Sequence, residues 1–179
     1  KNEFLVSSDF DAISYFQHFK QKLNFTNEIQ IAYFLLTSKC NFQCKYCFIK
    51  TRMINDPKKT MSIDIAKKAI DFISKNTKNV KIIFYGGEPL LNKDVLEFAI
   101  EYSEKIFNKV TFSMISNAAL IDEKISSFLK EHKVSIGISL DGPAEINDIM
   151  RVNHQNKGTY NNISNGIHQL QKQNVPFGL

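Results

Sequence analysis

Every cysteine of the chain falls in one stretch, "CNFQCKYCF" (40–48): Cys40, Cys44 and Cys47, with none left for pairing elsewhere. An odd number of crowded thiols makes a poor disulfide framework. Thiolates are ligands for soft metals, so a C-x3-C-x2-C loop reads as three sulfurs wrapped around one compact centre. Three protein ligands leave one coordination position open. In a cubane iron–sulfur cluster this means one iron without a protein ligand, free to take substrate or cofactor; an electron-transfer ferredoxin needs a fourth cysteine. Zinc is the alternative, completed by His18, His132, His154 or His168, although none of these lies at conventional ligand spacing.

Three other stretches carry unusual residues: "GGEP" (86–89), "SNA" (116–118) and "SLDGP" (139–143). Gly86 and Gly87 have no Cβ, so their backbone can approach a ligand closely. Glu88 offers an acceptor for a cation, and Pro89 stiffens the turn. Taken one at a time, these are also ordinary turn sequences. Their placement among the surrounding elements is what groups them. Apolar, β-branched and aromatic runs at 29–37, 80–85, 110–116 and 134–140, with "VPFGL" (175–179) as a fifth, read as buried strands. Between them run apolar stripes at helical spacing: Ala66, Ala69, Ile70 and Ile73; Leu96, Ala99, Ile100 and Ile106; Ile121, Ile125, Phe128 and Leu129; Ile163, Ile167 and Leu170. Ser62, Asn92, Asp122 and Thr159 are the expected N-caps. Strands separated by helices cannot be hairpins, so the chain is expected to be α/β: a parallel sheet with helices packed outside, forming a partial (β/α) barrel cut short near strand five. In such folds ligands bind at the carboxyl ends of the strands. The cysteine loop follows strand one, "GGEP" strand two, "SNA" ends strand three and "SLDGP" ends strand four, so all four fall on one rim.

These residues resemble the radical S-adenosylmethionine enzymes. Cys40, Cys44 and Cys47, with Tyr46 before the third cysteine, resemble the loop that in that family holds a [4Fe-4S] cluster, whose open iron chelates the methionine moiety of S-adenosylmethionine. "FYGGEP" resembles the segment that contacts the cofactor's ammonium group. "SNA" followed by "LIDE" is similar to T-N-G-T-L-I-D-E, and "SLDGPAEINDIMR" to S-x-D-G-P-x-x-x-H-D-x-x-R, of the SPASM-type branch that modifies peptides and proteins. That branch contains anaerobic sulfatase-maturating enzymes and thioether-forming peptide maturases. The resemblance implies a fold of the radical SAM type over 29–179, with Cys40, Cys44 and Cys47 as iron ligands. It implies that Gly86, Gly87 and Glu88 lie against the cofactor, Ser139 at its ribose, Arg151 at its carboxylate, Tyr46 by the adenine through its backbone, and Ser116 and Asn117 shaping the pocket. It further implies one-electron cleavage of S-adenosylmethionine to a 5′-deoxyadenosyl radical that abstracts hydrogen from a peptide or protein side chain, with an electron donor such as ferredoxin or flavodoxin. Action on a small metabolite is the alternative within the class. The chain departs from the pattern at Ala118, where the family has glycine, at Asn147, where histidine is common, and at Tyr85, where sulfatase maturases often have glutamine.

The remaining features set limits. With 43% hydrophobic residues in 179, one domain can bury its own core. No apolar run approaches the ~18 residues of a membrane span, and the first residues lack the pattern of a signal peptide, so a cytoplasmic protein is expected. The net charge of +5 is spread without a basic block, which reads as a solvated surface rather than a site for nucleic acid or an acidic peptide. Residues 1–28, with Phe10, Ile13, Phe16 and Phe19 about three apart, are expected to form a helical extension packed before the core. The ending "NVPFGL" reads as a strand just beginning, so the chain is expected to be part of a longer protein that carries the later strands and any auxiliary-cluster domain.

Overall fold

The computed structural model describes residues 11, 13–18, 29–49 and 59–179. Five strands, β1 (Ile31–Thr37), β2 (Asn79–Gly86), β3 (Lys109–Ser116), β4 (Ser135–Ile138) and β5 (Phe177–Gly178), pair in the order β1-β2-β3-β4-β5, and every pairing is parallel. The sheet is open, with β1 and β5 at its edges, as a partial barrel requires. The connecting helices are α1 (Ile63–Asn76), α2 (Lys93–Ile106), α3 (Glu123–Glu131), α4 (Ala144–Met150) and α5 (Tyr160–Lys172), with a 3-10 turn over Pro89–Asn92.

Side chains alternate across a strand, so each strand sends every second residue to the helices. Phe34 and Leu36, Val80, Ile82 and Phe84, and Phe112 and Met114 are buried together with the expected stripe residues Ala66, Ile70, Ile73, Leu96, Ala99, Ile100, Ile125, Leu129, Ile163 and Leu170. The rings of Phe34, Phe84 and Phe112 cross the sheet at 6.2 and 6.0 Å between centroids. The opposite face departs from the expectation of strands buried on both sides: Tyr33 is 68% exposed, Leu35 44% and Ile115 43%. An unclosed sheet leaves its inner face without a covering layer, and apolar runs alone do not report closure.

Two of the four expected caps hold. Ser62 Oγ accepts from Ile65 N–H at 3.3 Å and Asp122 Oδ1 from Ile125 N–H at 2.8 Å. Asn92 does not cap α2; its amide donates to the carbonyls of Leu36 and Met61 at 2.9 Å each, tying β1 to the α1 approach. Thr159 does not cap α5 either. Its hydroxyl donates to Arg151 O, while Asp148 Oδ1, from α4, accepts from the N–H groups of Thr159 and Tyr160. Both polar side chains found stronger partners across space, which spacing along the chain does not reveal. The short helix α4, unanticipated from sequence, fills the β4–α5 connection.

Residues 13–18 are helical, with Ile13 and Phe16 exposed to solvent rather than packed on the sheet; Phe10 and Phe19 lie outside the described residues. Among the described residues no helix is long and apolar enough to cross a membrane.

Candidate functional site

The cysteine loop leaves β1 at the carboxyl rim and is held from the sheet side first. β1 and β2 run in register to Leu35 opposite Tyr85, then shift by one residue so that Thr37 lies opposite Gly86, after which Gly87 N–H donates to Thr37 O (2.8 Å) and Glu88 N–H to Lys39 O (2.9 Å). The two glycines are required here by a close backbone approach. A Cβ on Gly86, whose φ is 150°, would stand 2.3 Å from Thr37 O, and one on Gly87 would stand 2.2 Å from Lys39 O. The close neighbour is thus the cysteine loop itself, although both glycines also face the cavity beside it.

That cavity, about 180 Å³, is lined by Cys40, Cys44, Cys47, Tyr46, Gly86, Gly87, Ser116, Asn117, Ser139 and Arg151. All the candidate residues named from sequence therefore meet there except Glu88. Tyr85 and Ile115 from the inner face of the sheet, and Phe42, Phe48 and Ile49 from the loop, complete the wall.

Glu88 corrects the expectation of a cation acceptor at the cavity. It is fully buried, with Oε1 accepting from Leu90 N–H (3.2 Å) and Ser116 Oγ–H (2.9 Å) and Oε2 accepting from Asn117 N–H (2.8 Å). Its carboxylate splices the end of β2 to the end of β3. Burial pushes its pKa up to about 6, against the pull of those three donors. Asn117, so fixed, donates from Nδ2 to Asn41 Oδ1 (2.8 Å) and reaches Cys40 Sγ at 3.8 Å. Phe42 N–H donates to the same sulfur at 3.3 Å.

On the opposite wall, Arg151, only 14% exposed, donates from one terminal nitrogen to Asp141 Oδ1 at 2.8 Å, and Asp141 Oδ2 accepts from the Tyr46 hydroxyl at 2.6 Å. The guanidinium carbon lies 5.4 Å from the centre of the Tyr46 ring, a cation–π arrangement that desolvation strengthens. Burial opposes the charges of both partners, and hydrogen bonds outweigh it: those from Tyr46 and then Arg151 hold the Asp141 carboxyl below its ordinary value, and the bond to Asp141 holds Arg151 above its own. Burial and then Asp141 push the Tyr46 hydroxyl well up, so it remains a donor. Arg151 Nε is buried with no partner among the described residues. It is a donor beside the cavity that a bound acceptor would satisfy.

The donor set fits an iron–sulfur cluster. Burial, then the negative groups around it, pushes the Cys40 thiol up to about 11, and burial raises Cys44 as well; a coordinating cation supplies the charge that ionises such thiols. Backbone and amide N–H groups aimed at a sulfur suit a ligating thiolate, since they stabilise its charge. Among the described residues no three His, Cys, Asp or Glu side chains gather closely enough to hold a single metal ion, as the zinc alternative required. His132 pairs with Glu104, and His18 and His168 are exposed.

Sequence reading missed two contributors. His154, named from sequence only as a possible zinc ligand, places Nε2 2.9 Å from Cys40 O and Nδ1 3.2 Å from Gln43 Oε1. Asp148 closes the turn that carries it. The signal available was the turn-rich "NHQNKG" (153–158) two residues after Arg151, which had no assigned work.

A parallel α/β sheet with a three-cysteine loop, a glycine pair and an arginine converging at its carboxyl rim defines a cofactor-dependent enzyme class, and comparison with known proteins agrees. The sequence matches the radical SAM superfamily over residues 34–178, and the chain belongs to that family of enzymes, whose cofactors are S-adenosylmethionine and a [4Fe-4S] cluster. It is 33% identical to the radical SAM cyclopropyl synthase TigE of Paramaledivibacter caminithermalis, across 73% of this chain and 31% of that protein. It is 30% identical to a cysteine-type anaerobic sulfatase-maturating enzyme of Clostridium novyi, across 80% of this chain and 40% of the relative. The solved structure of anSMEcpe with bound AdoMet and Cp18Cys peptide superposes with a TM-score of 0.72 at 26% identity, covering 84% of this chain and 41% of that one. The chain spans less than half the length of these relatives.

Proposed function

We propose that the chain is the catalytic core of a radical SAM enzyme that modifies a peptide or protein side chain, in the SPASM-type branch. The observation that carries this reading is the convergence of Cys40, Cys44 and Cys47 with Gly86, Gly87, Ser139 and Arg151 on one cavity. A [4Fe-4S] cluster held there by Cys40, Cys44 and Cys47 would, together with bound S-adenosylmethionine, supply the radical chemistry that draws hydrogen from a substrate carbon.

The protein's own part is placement. Cys40, Cys44 and Cys47 hold the irons. Arg151, aimed by Asp141, offers its unpartnered Nε and a terminal nitrogen to the cofactor carboxylate, and the planar fork suits that acceptor. Ser139 offers a hydroxyl to the ribose, the backbone of Gly86 and Gly87 faces the ammonium end, Tyr46 lies by the adenine, and Ser116 and Asn117 keep the floor rigid. Glu88 works one step back, by fixing Asn117. The apolar wall of Ile115, Phe48 and Tyr85 keeps water from a reactive radical. A peptide substrate is supported by the sulfatase-maturating relatives, one of them solved with a bound peptide. The protein would work in the cytoplasm with ferredoxin or flavodoxin as electron donor.

The test is to incubate the full-length protein, reconstituted without oxygen and reduced, with S-adenosylmethionine and to measure 5′-deoxyadenosine. Cys40→Ala, Cys44→Ala and Cys47→Ala should each abolish it. Product that persists without the cysteines sinks the assignment, and turnover stimulated by a small metabolite but by no peptide sinks the substrate class.

A further inference from the structure

The cysteine loop has a second set of attachments, from the chain that follows α4. Gln43 N–H donates to Val152 O at 2.7 Å, Lys45 N–H donates to Met150 O at 2.9 Å, and Phe42 bridges Asn153 in antiparallel fashion. Residues 150–154 therefore lie along the loop like an added strand. They belong to a turn that is locked on itself. Asn153 Oδ1 accepts from the N–H groups of Gln155 and Lys157, and Val152 bridges Gly158. Asp148 packs so closely on Gly158 that a Cβ there would stand 2.2 Å from its carboxylate carbon. Nothing in this local bonding uses the side chain of His154, which instead crosses to the cysteine loop.

Cys40 O can only accept, so the bond at that carbonyl is a donation from His154 Nε2. Nδ1 lies against the Gln43 side-chain amide, so both ring nitrogens have a protein partner. The bond falls on Cys40, where the loop leaves the sheet, while the backbone bonds from Met150 and Val152 reach only residues 43 and 45.

We propose that His154 is a positioning residue for the cluster: by holding the Cys40 carbonyl it fixes the main chain that aims the Cys40 sulfur, and it links the cluster loop to the turn that carries Arg151. This rests on the reading that Cys40, Cys44 and Cys47 hold the iron. The role is separate from ligation, because both ring nitrogens are taken by protein groups. It is also separate from the fold, because His154 is exposed and the turn closes without it.

The experiment compares the full-length protein with His154→Ala, His154→Gln and, as a control on the same turn, Gln155→Ala. Iron and sulfide per chain, the rate at which a ferrous chelator strips the reconstituted cluster, and the melting temperature of the apoprotein are measured for each. His154→Ala should lose its cluster roughly 10-fold faster, the lower end of what outer-shell partners of metal ligands give. His154→Gln should recover most of the retention, since a glutamine amide can donate to the same carbonyl. Gln155→Ala should match the parent, and the apoprotein should melt alike in all four. Equal stripping rates for His154→Ala and the parent, equal loss in Ala and Gln variants, or a fall in apoprotein melting temperature that tracks the loss would each overturn the proposal. A parent protein that takes up no iron and sulfide overturns the cluster reading beneath it, and that outcome is distinct from the others.

Discussion

The cysteine loop is gripped on two sides, and the two grips are built differently. The sheet side is buried and rests on backbone bonds from Gly87 and Glu88 and on a carboxylate, Glu88, that is wholly removed from water. The outer side is a solvent-facing turn, with two backbone bonds and the His154 contacts. Buried polar groups are costly to disturb because an unpaired partner cannot turn to water, whereas exposed ones find solvent. Damage on the sheet side should therefore appear as lost stability, and damage on the outer side as altered cofactor or cluster retention in a folded protein.

The largest break in that comparison is Gly87→Ala. A methyl 2.2 Å from the Lys39 carbonyl can be relieved only by moving backbone, so a loss of about 3 kcal/mol or more is expected in urea unfolding, along with failed cluster uptake. A variant as stable as the parent would show that the loop yields.

Next comes Glu88. Its pKa rises from 4.5 to about 6 on folding, so the folded state binds the proton more tightly. The resulting contribution is fully present below pH 4.5 and is lost as pH rises through about 6, amounting to about 2 kcal/mol over that window. Glu88→Gln should remove this dependence from apoprotein denaturation curves. It should also cost about 1–3 kcal/mol at neutral pH, because one acceptor becomes a donor facing Asn117 N–H. Identical pH profiles for the two proteins would place the titration elsewhere.

On the outer side, Arg151→Lys should weaken S-adenosylmethionine binding about tenfold, since a point charge cannot replace the planar fork. Iron content and melting temperature should stay unchanged. A parallel loss of stability would mean that the Asp141 ion pair holds the fold rather than aiming the guanidinium.

The smallest effect is expected at Ala118, which sits at φ 61° where the family has glycine. Ala118→Gly relieves about 1–2 kcal/mol of left-handed strain. It also gives back about 0.5–1 kcal/mol in unfolded-chain entropy and about 0.8 kcal/mol of buried methyl. The terms nearly cancel, so calorimetry should find a change under about 1 kcal/mol. Gly166 is needed chiefly by the Ala118 backbone, since a Cβ there would lie 2.0 Å from Ala118 O and 3.2 Å from the Ala118 methyl.

Much of this molecule was legible before folding. The alternation of strands and helices follows from apolar spacing, and the stripe from Ala66 to Ile73 lies where its period put it. Cys40, Cys44 and Cys47 point to soft-metal chemistry by residue type and crowding alone. Less legible were the partners of polar side chains. Asn92 and Thr159 looked like caps and are cross-links, Glu88 looked like a ligand and is a splice, and His154, considered only for zinc, reaches Cys40 across 114 residues of sequence.

Sequence by itself determined the order of elements, the rim on which the unusual residues gather and the chemistry their types allow, because these depend on local periodicity and on intrinsic donor character. Only the tertiary structure decided which donor meets which acceptor. A polar group takes the strongest partner that packing brings within about 3 Å, and that neighbour is chosen by the whole sheet rather than by the residues beside it in the chain.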